Sequence, residues 1–169
     1  VSVFTGDVGN TFSKAFTGLA EGSYYARVRA KNAYNLPGAY SPWSGPVKVD
    51  WTAPAPNPPA AGSHQVYLTS ITWNVAAASD PNSGLHAQAY SYDNGATWQA
   101  GASSTTAGLQ PDTLYSKTLK YRDAAGNITS GLAVSTYTLA AVPASAAISN
   151  LATTGFRVGW NQNGNPGGT

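Results

Sequence analysis

Seven acidic residues and two histidines, His64 and His86, are all that this 169-residue chain offers for general acid or base chemistry. Such catalysis needs a nucleophile or a reacting proton within hydrogen-bond reach of a positioned base. Neither histidine has a Ser nucleophile and an acid at a recognisable spacing. Cysteine is absent, which removes thiol nucleophiles, Cys-ligated metals and any disulfide framework. Asp80, Asp93, Asp112 and Asp123 fall in separate loop-like stretches, where Asp is favoured as a turn former. Calcium between domains would require several of their oxygens to converge, so neither a metal nor a cofactor is expected. Gly-Lys-Ser/Thr and Gly-x-Gly phosphate loops are also missing. The expectation is a protein that is not an enzyme.

Two short motifs point to turns. The stretch SYDNGATW, residues 91 to 98, has the pattern S-x-D-x-G-x-T-W, which resembles the Asp-box hairpin of sialidases and other propeller proteins. Its physics is that of a tight turn: Asn94-Gly95 accepts positive φ while the Asp93 side chain caps the backbone. A glycosidase would need paired carboxylates, or an activated Tyr with an Arg cluster, in addition. NIT, residues 127 to 129, has N-glycosylation spacing, although Asn after Gly is equally ordinary turn chemistry.

The composition supports a folded chain with a nearly neutral surface. Hydrophobic residues make up 42% of the sequence, enough for packed cores, whereas charged residues are 9% against an average of about 25%. The net charge of +2 comes from a basic excess in the first third, a slight acidic excess from Thr52 to Ala140 and a lone Arg157. No stretch is basic enough for nucleic acid or anionic lipid. No apolar run approaches the roughly 20 residues of a membrane span, so neither nucleic-acid binding nor membrane insertion is expected. The absence of Cys fits the cytosol, and equally the Cys-poor habit of bacterial surface proteins.

The elements that position these residues read as strands. Short alternating runs are separated by Gly, Pro, Asn and Asp, with no helical period of useful length. In SYYARVRAKN, Tyr24, Ala26, Val28 and Ala30 share one face while Tyr25, Arg27, Arg29 and Lys31 share the other, predicting core on one side and solvent on the other. In LYSKTLKY, Tyr115, Leu119 and Tyr121 fall together, with Lys117 out of pattern. TAPAPNPPAAG (52 to 62) and LAAVPAS (139 to 145) read as extended linkers.

The two strand segments also form an internal repeat. GLAEGSY precedes the first and GLQPDTLY the second, while LTSITWNV matches TTGFRVGW, setting Ile71 and Trp73 against Val158 and Trp160. This pattern resembles fibronectin type III domains, seven-stranded sandwiches with a Trp on the second strand and a Gly-Leu then Tyr corner leading into the sixth. YSPWSGPVKV is similar to the family's run into its last strand, and the resemblance covers nearly the whole chain. It implies an all-β fold of tandem Ig-like sandwiches, with Trp73 and Trp160 as core tryptophans and Tyr24 and Tyr115 as corner tyrosines hydrogen-bonded to the preceding turn. The first turn is one residue shorter than the second, so Tyr25 stands beside Tyr24 as a candidate. The implied structural core comprises Tyr24, Val28, Ile71, Trp73, Tyr115 and Leu119.

By the same resemblance residues 52–140 supply all seven strands, residues 1–51 the later strands of one sandwich, and residues 141–169 the first two of another. The halves are complementary. A seven-residue linker reaches at most ~25 Å, against roughly 35 Å across the intervening domain, so self-closure is not expected. The halves would meet head to tail between copies or adjacent repeats, with Val1, Val3, Phe156, Val158 and Trp160 sharing one core. A repeat cut from a continuous array, subunits exchanging strands and an arbitrary fragment all fit. Trp43, Trp51 and Trp98 with Tyr34, Tyr40 and Tyr92 exceed what a small interior needs; sugar-stacking platforms use such rings, but interface anchors are expected, because Trp43 and Trp51 flank the last strand of one unit and the linker to the next. The expected function is a structural repeat of an extracellular or cell-surface fibre, sheath or stalk. The alternative is a carbohydrate-binding or spacer module of a secreted enzyme or adhesin, with glycans as ligands.

Overall fold

The computed structural model describes residues 6–9 and 11–166. The chain divides into two compact units, Val1–Asp50 and Trp51–Thr169. Among the described residues there is no helix, hence none long and apolar enough to cross a membrane. The fold is an all-β sandwich class built from antiparallel strands.

In the second unit two three-stranded sheets enclose the core. One holds β3 (Gln65–Val66), β4 (Ser70–Asn74) and β6 (Ser103–Ala107) in the order β3-β4-β6. The other holds β5 (Leu85–Ser91), β7 (Leu114–Asp123) and β8 (Leu132–Tyr137) in the order β5-β7-β8. A short segment after Trp98 joins the β5 edge through paired hydrogen bonds between Tyr90 and Gln99, of 3.0 and 2.8 Å. The period-two alternation of the sequence sets what each sheet buries. Ile71 and Trp73 of β4 meet Ala89 and Tyr90 of β5 and Leu119 and Tyr121 of β7 in one cluster, with Tyr115 packed at its margin. The opposite face of β4 stays polar, where Thr72 and Thr105 share a hydroxyl hydrogen bond of 2.9 Å. Lys117, out of pattern in the sequence, is half-buried opposite Val134 on β8.

The Pro-rich stretch read as an extended linker is instead docked along this sandwich. Pro54 is fully buried. Ala55 exchanges hydrogen bonds with Ser79, Gly62 donates to Asn74, and Ala60 accepts from Ala76. Asn57 Oδ1 accepts from both the amide and the hydroxyl of Ser130, at 2.9 Å each. Proline has no amide to give a ladder, so the segment pairs through its Ala and Gly positions, as an edge permits. Gly62 fits closely there: a Cβ would lie 3.1 Å from Asn74 Cβ, near enough that the neighbour would have to give by a few tenths of an ångström. The second expected linker is likewise held, since Ala141 is buried and its amide and carbonyl are bridged by the side chain of Asn165 at 2.6 and 2.7 Å.

Beyond it, β9 (Ala144–Ala152) and β10 (Gly155–Asn161) form a two-stranded hairpin with Ile148 opposite Val158. In the first unit β1 (Gly22–Tyr24) pairs with β2 (Val47–Val49). The strand expected across SYYARVRAKN ends at Tyr24, and Val28, expected in a core, is 71% exposed. The reason is that burying one face of a strand requires a second layer, and the described residues of this unit form a single two-stranded sheet.

Candidate functional site

The turn at 91 to 97 shows what its residues do. Asn94 and Gly95 take φ of 62° and 92°, the left-handed pair that a two-residue hairpin turn demands. Asp93 Oδ1 accepts from the Ser91 hydroxyl and from the Thr97 amide, both at 2.8 Å, and Oδ2 accepts from the Thr97 hydroxyl. Ser91 Oγ in turn accepts from the Gly95 amide at 2.8 Å. Burial acts to raise the Asp93 carboxyl, but these hydrogen bonds outweigh it and hold the group below its ordinary value. A carboxylate so occupied is a clamp for the turn. Trp98 then packs half-buried beneath Arg122, whose guanidinium carbon lies 4.6 Å from the ring centre and whose Nε donates to the Gln88 carbonyl at 2.8 Å.

Asp80, Asp123 and His86 are similarly engaged. Asp80 Oδ1 accepts from the Gly84 amide at 2.8 Å. Asp123, fully buried, accepts from the amides of Gly126 and Asn127 and from the Asn127 side chain. Asp80, in a loop, and Asp123, at the end of β7, thus come to within 4.8 Å of each other, a convergence that sequence spacing did not disclose. The Asn127 amide group of the NIT motif serves this turn. His86 Nδ1 accepts from the Gln88 amide two residues on, at 2.9 Å.

His64 borders the core. Its Nδ1 accepts from the Asn74 amide at 3.2 Å, and its ring meets Trp73 edge-on at 5.1 Å between centres. Burial holds its pKa below the ordinary 6.5. The unfolded chain therefore takes up a proton that the folded chain resists, so the stabilisation is complete above pH 6.5 and is lost as pH falls toward the folded pKa. Thermal melting of the second unit should drop on acidification from pH 7.5 to pH 5.5. His64→Gln should flatten that dependence.

Tyr92, grouped with the exposed aromatics in the sequence, is 5% exposed. Its hydroxyl is buried with no hydrogen-bond partner among the described residues, and burial first, then neighbouring Tyr121 and Tyr90, raises its pKa. By contrast the Tyr121 hydroxyl donates to the Ala76 carbonyl at 2.7 Å and the Tyr90 hydroxyl accepts from the Ala78 amide at 3.3 Å. An unpartnered buried hydroxyl costs about 1 to 3 kcal/mol. Tyr92→Phe should therefore leave stability unchanged or raise it by about 1 kcal/mol, whereas Tyr121→Phe should lower it. Urea denaturation of the three proteins checks the order.

Of the sequence-derived residues, Ile71, Trp73 and Leu119 are fully buried. The two corner positions hold half-buried tyrosines that reach back to the preceding turn. Tyr24 donates its hydroxyl to the Ala20 carbonyl at 2.8 Å, and the Tyr115 hydroxyl accepts from the Gln110 amide at 3.0 Å. Tyr25 is exposed. Phe156, Val158 and Trp160 are exposed together on β10, while Val1 and Val3 lie outside the described residues.

One constellation in the first unit escaped the sequence reading. Opposite the extended run 24 to 31 the chain returns through residues 37 to 44. Gly38, Ser41 and Ser44 donate their amides to the carbonyls of Ala30, Val28 and Ala26. The register advances three residues on one side for two on the other, the mismatch of a polyproline-like segment against a strand. The serine hydroxyls supply the missing return bonds: Val28 donates to Ser41 Oγ at 3.0 Å and Ala26 to Ser44 Oγ at 2.8 Å. Period two sets Arg27 and Arg29 side by side, and period three sets Tyr40 and Trp43 over them. The Arg27 guanidinium carbon lies 4.0 Å from the Tyr40 ring centre and 4.3 Å from that of Trp43, and Arg29 lies 4.6 Å from Tyr40. The signal in the sequence was R-x-R beside Y-x-x-W, two periods that only pairing relates.

The fold and these contacts define an all-β sandwich chain in which Asp80, Asp93, Asp123 and His86 are engaged by local turns. No family model and no curated protein matches it. Among solved structures it is similar to chitinase ChiA74 from Bacillus thuringiensis, at 26% identity and a TM-score of 0.41, over 56% of this chain and 15% of that one. The chain thus spans a small part of that chitinase's length.

Proposed function

We propose that this chain is a non-catalytic structural module of a secreted or cell-surface protein. In this reading it consists of tandem fibronectin type III-like sandwiches that join head to tail into an extracellular fibre, sheath or stalk. Residues 52–140 are the complete sandwich, and residues 1–51 and 141–169 are complementary parts that pair with another copy or an adjacent repeat. The observation that carries this reading is the uncovered apolar surface of the β9–β10 hairpin. Ile148, Leu151, Phe156, Val158 and Trp160 are all exposed, Trp160 at 64%. An isolated two-stranded sheet is marginal in water, and both its apolar face and its open edges favour strand addition. Val28 and Val47 leave a second apolar surface uncovered in the first unit.

The test is sedimentation velocity on the whole chain across a concentration series. Association that rises with concentration, and that Trp160→Ala weakens at least tenfold while the main thermal transition persists, is the expected result. A strictly monomeric chain at all concentrations would overturn it. The reading as a carbohydrate-binding module draws on a different observation, the arginine and aromatic stack of the first unit.

A further inference from the structure

We infer that the stack formed by Arg27, Arg29, Tyr40 and Trp43 is a binding site for a carboxylated polysaccharide. This inference does not rest on head-to-tail assembly, since every residue it uses lies in the first unit.

The argument begins with what the guanidinium groups lack. Lys31 pairs with Asp7, at 3.2 Å. Among the described residues neither Arg27 nor Arg29 meets a carboxylate or donates a side-chain hydrogen bond; their contacts are the rings of Tyr40 and Trp43. The Tyr40 and Trp43 ring centres lie 4.0 and 4.3 Å from the Arg27 guanidinium carbon, contacts that engage its charge without using an N–H donor. What Arg27 keeps open is its edge, the N–H fork that fits a carboxylate with two parallel hydrogen bonds. Stacking also holds the long side chains in place before a ligand arrives, which lowers the entropy lost on binding.

The spacing suits a polymer. Arg27 and Arg29 are two residues apart on the extended run, roughly 7 Å along the backbone, and both guanidinium carbons lie within 4.6 Å of the Tyr40 ring centre, which gathers two cations at one place. Tyr40 and Trp43 remain partly open, Trp43 at 59%, and Tyr25 stands exposed on the same parity as the arginines. The ring of Tyr25 and the face of Trp43 turned away from Arg27 can accept the apolar faces of sugar rings. Two ordered guanidinium edges beside aromatic surface therefore match a chain of acidic sugars, whose units each carry a planar carboxylate and a C–H face. A purely electrostatic attraction for polyanions does not need this arrangement, and the net charge of +2 is too small to supply one.

The test uses the whole chain and polygalacturonate as probe, free of divalent cations, in affinity electrophoresis and titration calorimetry. Fully methyl-esterified polymer, dextran and double-stranded DNA serve as comparisons. Retention by polygalacturonate alone, reduced at least tenfold in the R27Q/R29Q variant, is the expected outcome. The R27K/R29K variant retains the charge and a cation over the rings but loses the forks, and should also lose most of the retention. Because the stack supports the first unit as well, each variant is compared by near-ultraviolet circular dichroism of its aromatic residues. If only the lysine variant keeps the native spectrum, its retention decides the matter. Absence of retention, equal retention of the methyl ester or of DNA, or undiminished retention in a natively folded lysine variant would each overturn the inference.

Discussion

Trp73→Ala should destabilise the second unit by about 3 to 5 kcal/mol, the range for removing a large aromatic from a core. Trp73 is fully buried at the centre of the β4–β6 sheet, opposite Ser104. It packs among Ile71, Leu119 and Tyr121, and its indole donates to Thr106 Oγ1 at 3.2 Å. Truncation removes that apolar surface, leaves a cavity that two hydrogen-bonded sheets cannot fully collapse, and orphans the edge of His64. The melting temperature should fall by roughly 10 to 20 °C for a unit of this size. Trp73→Phe, which refills much of the volume but cannot reach Thr106, should cost less. Circular dichroism melts of the three proteins decide it, and a loss under about 1 kcal/mol for the alanine variant would refute this core assignment.

Asp123→Ala is expected to cost about 3 kcal/mol or more, because hydrogen bonds to a charged group contribute about 1.5 to 3 kcal/mol each. The carboxylate is fully buried at the end of β7. Oδ1 accepts from the amides of Gly126 and Asn127 at 2.7 and 2.8 Å, and Oδ2 accepts from the Asn127 side chain at 2.8 Å. Removing it takes the acceptor from the amides of Gly126 and Asn127, while Asn127 Nδ2 keeps the Thr52 carbonyl at 3.5 Å. Asp123→Asn keeps one acceptor for the two amides but turns a donor toward Asn127, and should fall between wild type and alanine. Amide hydrogen exchange at Gly126 and Asn127 supplies the local readout. Protection unchanged in the alanine variant would show that the carboxylate does not hold this turn.

How much could be read in advance depended on how local the determining physics was. The alternation in TSITWNV and LYSKTLKY is a property of single segments, and the structure buries Ile71, Trp73, Leu119 and Tyr121 on the parity that alternation defines. The Asn94-Gly95 turn was equally legible, since its φ values follow from residues that tolerate them. Val28 was not, because alternation states which residues would share a core and says nothing of whether a second layer exists to cover them. Tyr92 is the reverse case: an aromatic counted as surplus is enclosed, and its hydroxyl goes unpartnered among the described residues.

The sequence by itself determined the all-β character, the turn chemistry and the sparse, nearly neutral charge, because backbone preference, side-chain period and composition are encoded within a few neighbouring residues. Tertiary structure alone decided the rest. It docked Pro54 and Asn57 against the sandwich, brought Asp80 to Asp123 at the end of β7, some 40 residues further along the chain, and set Arg27 and Arg29 against Tyr40 and Trp43. Each of these depends on which distant segments pair and in what register, and register is set by the combined burial and hydrogen bonding of both partners, information that neither segment carries alone.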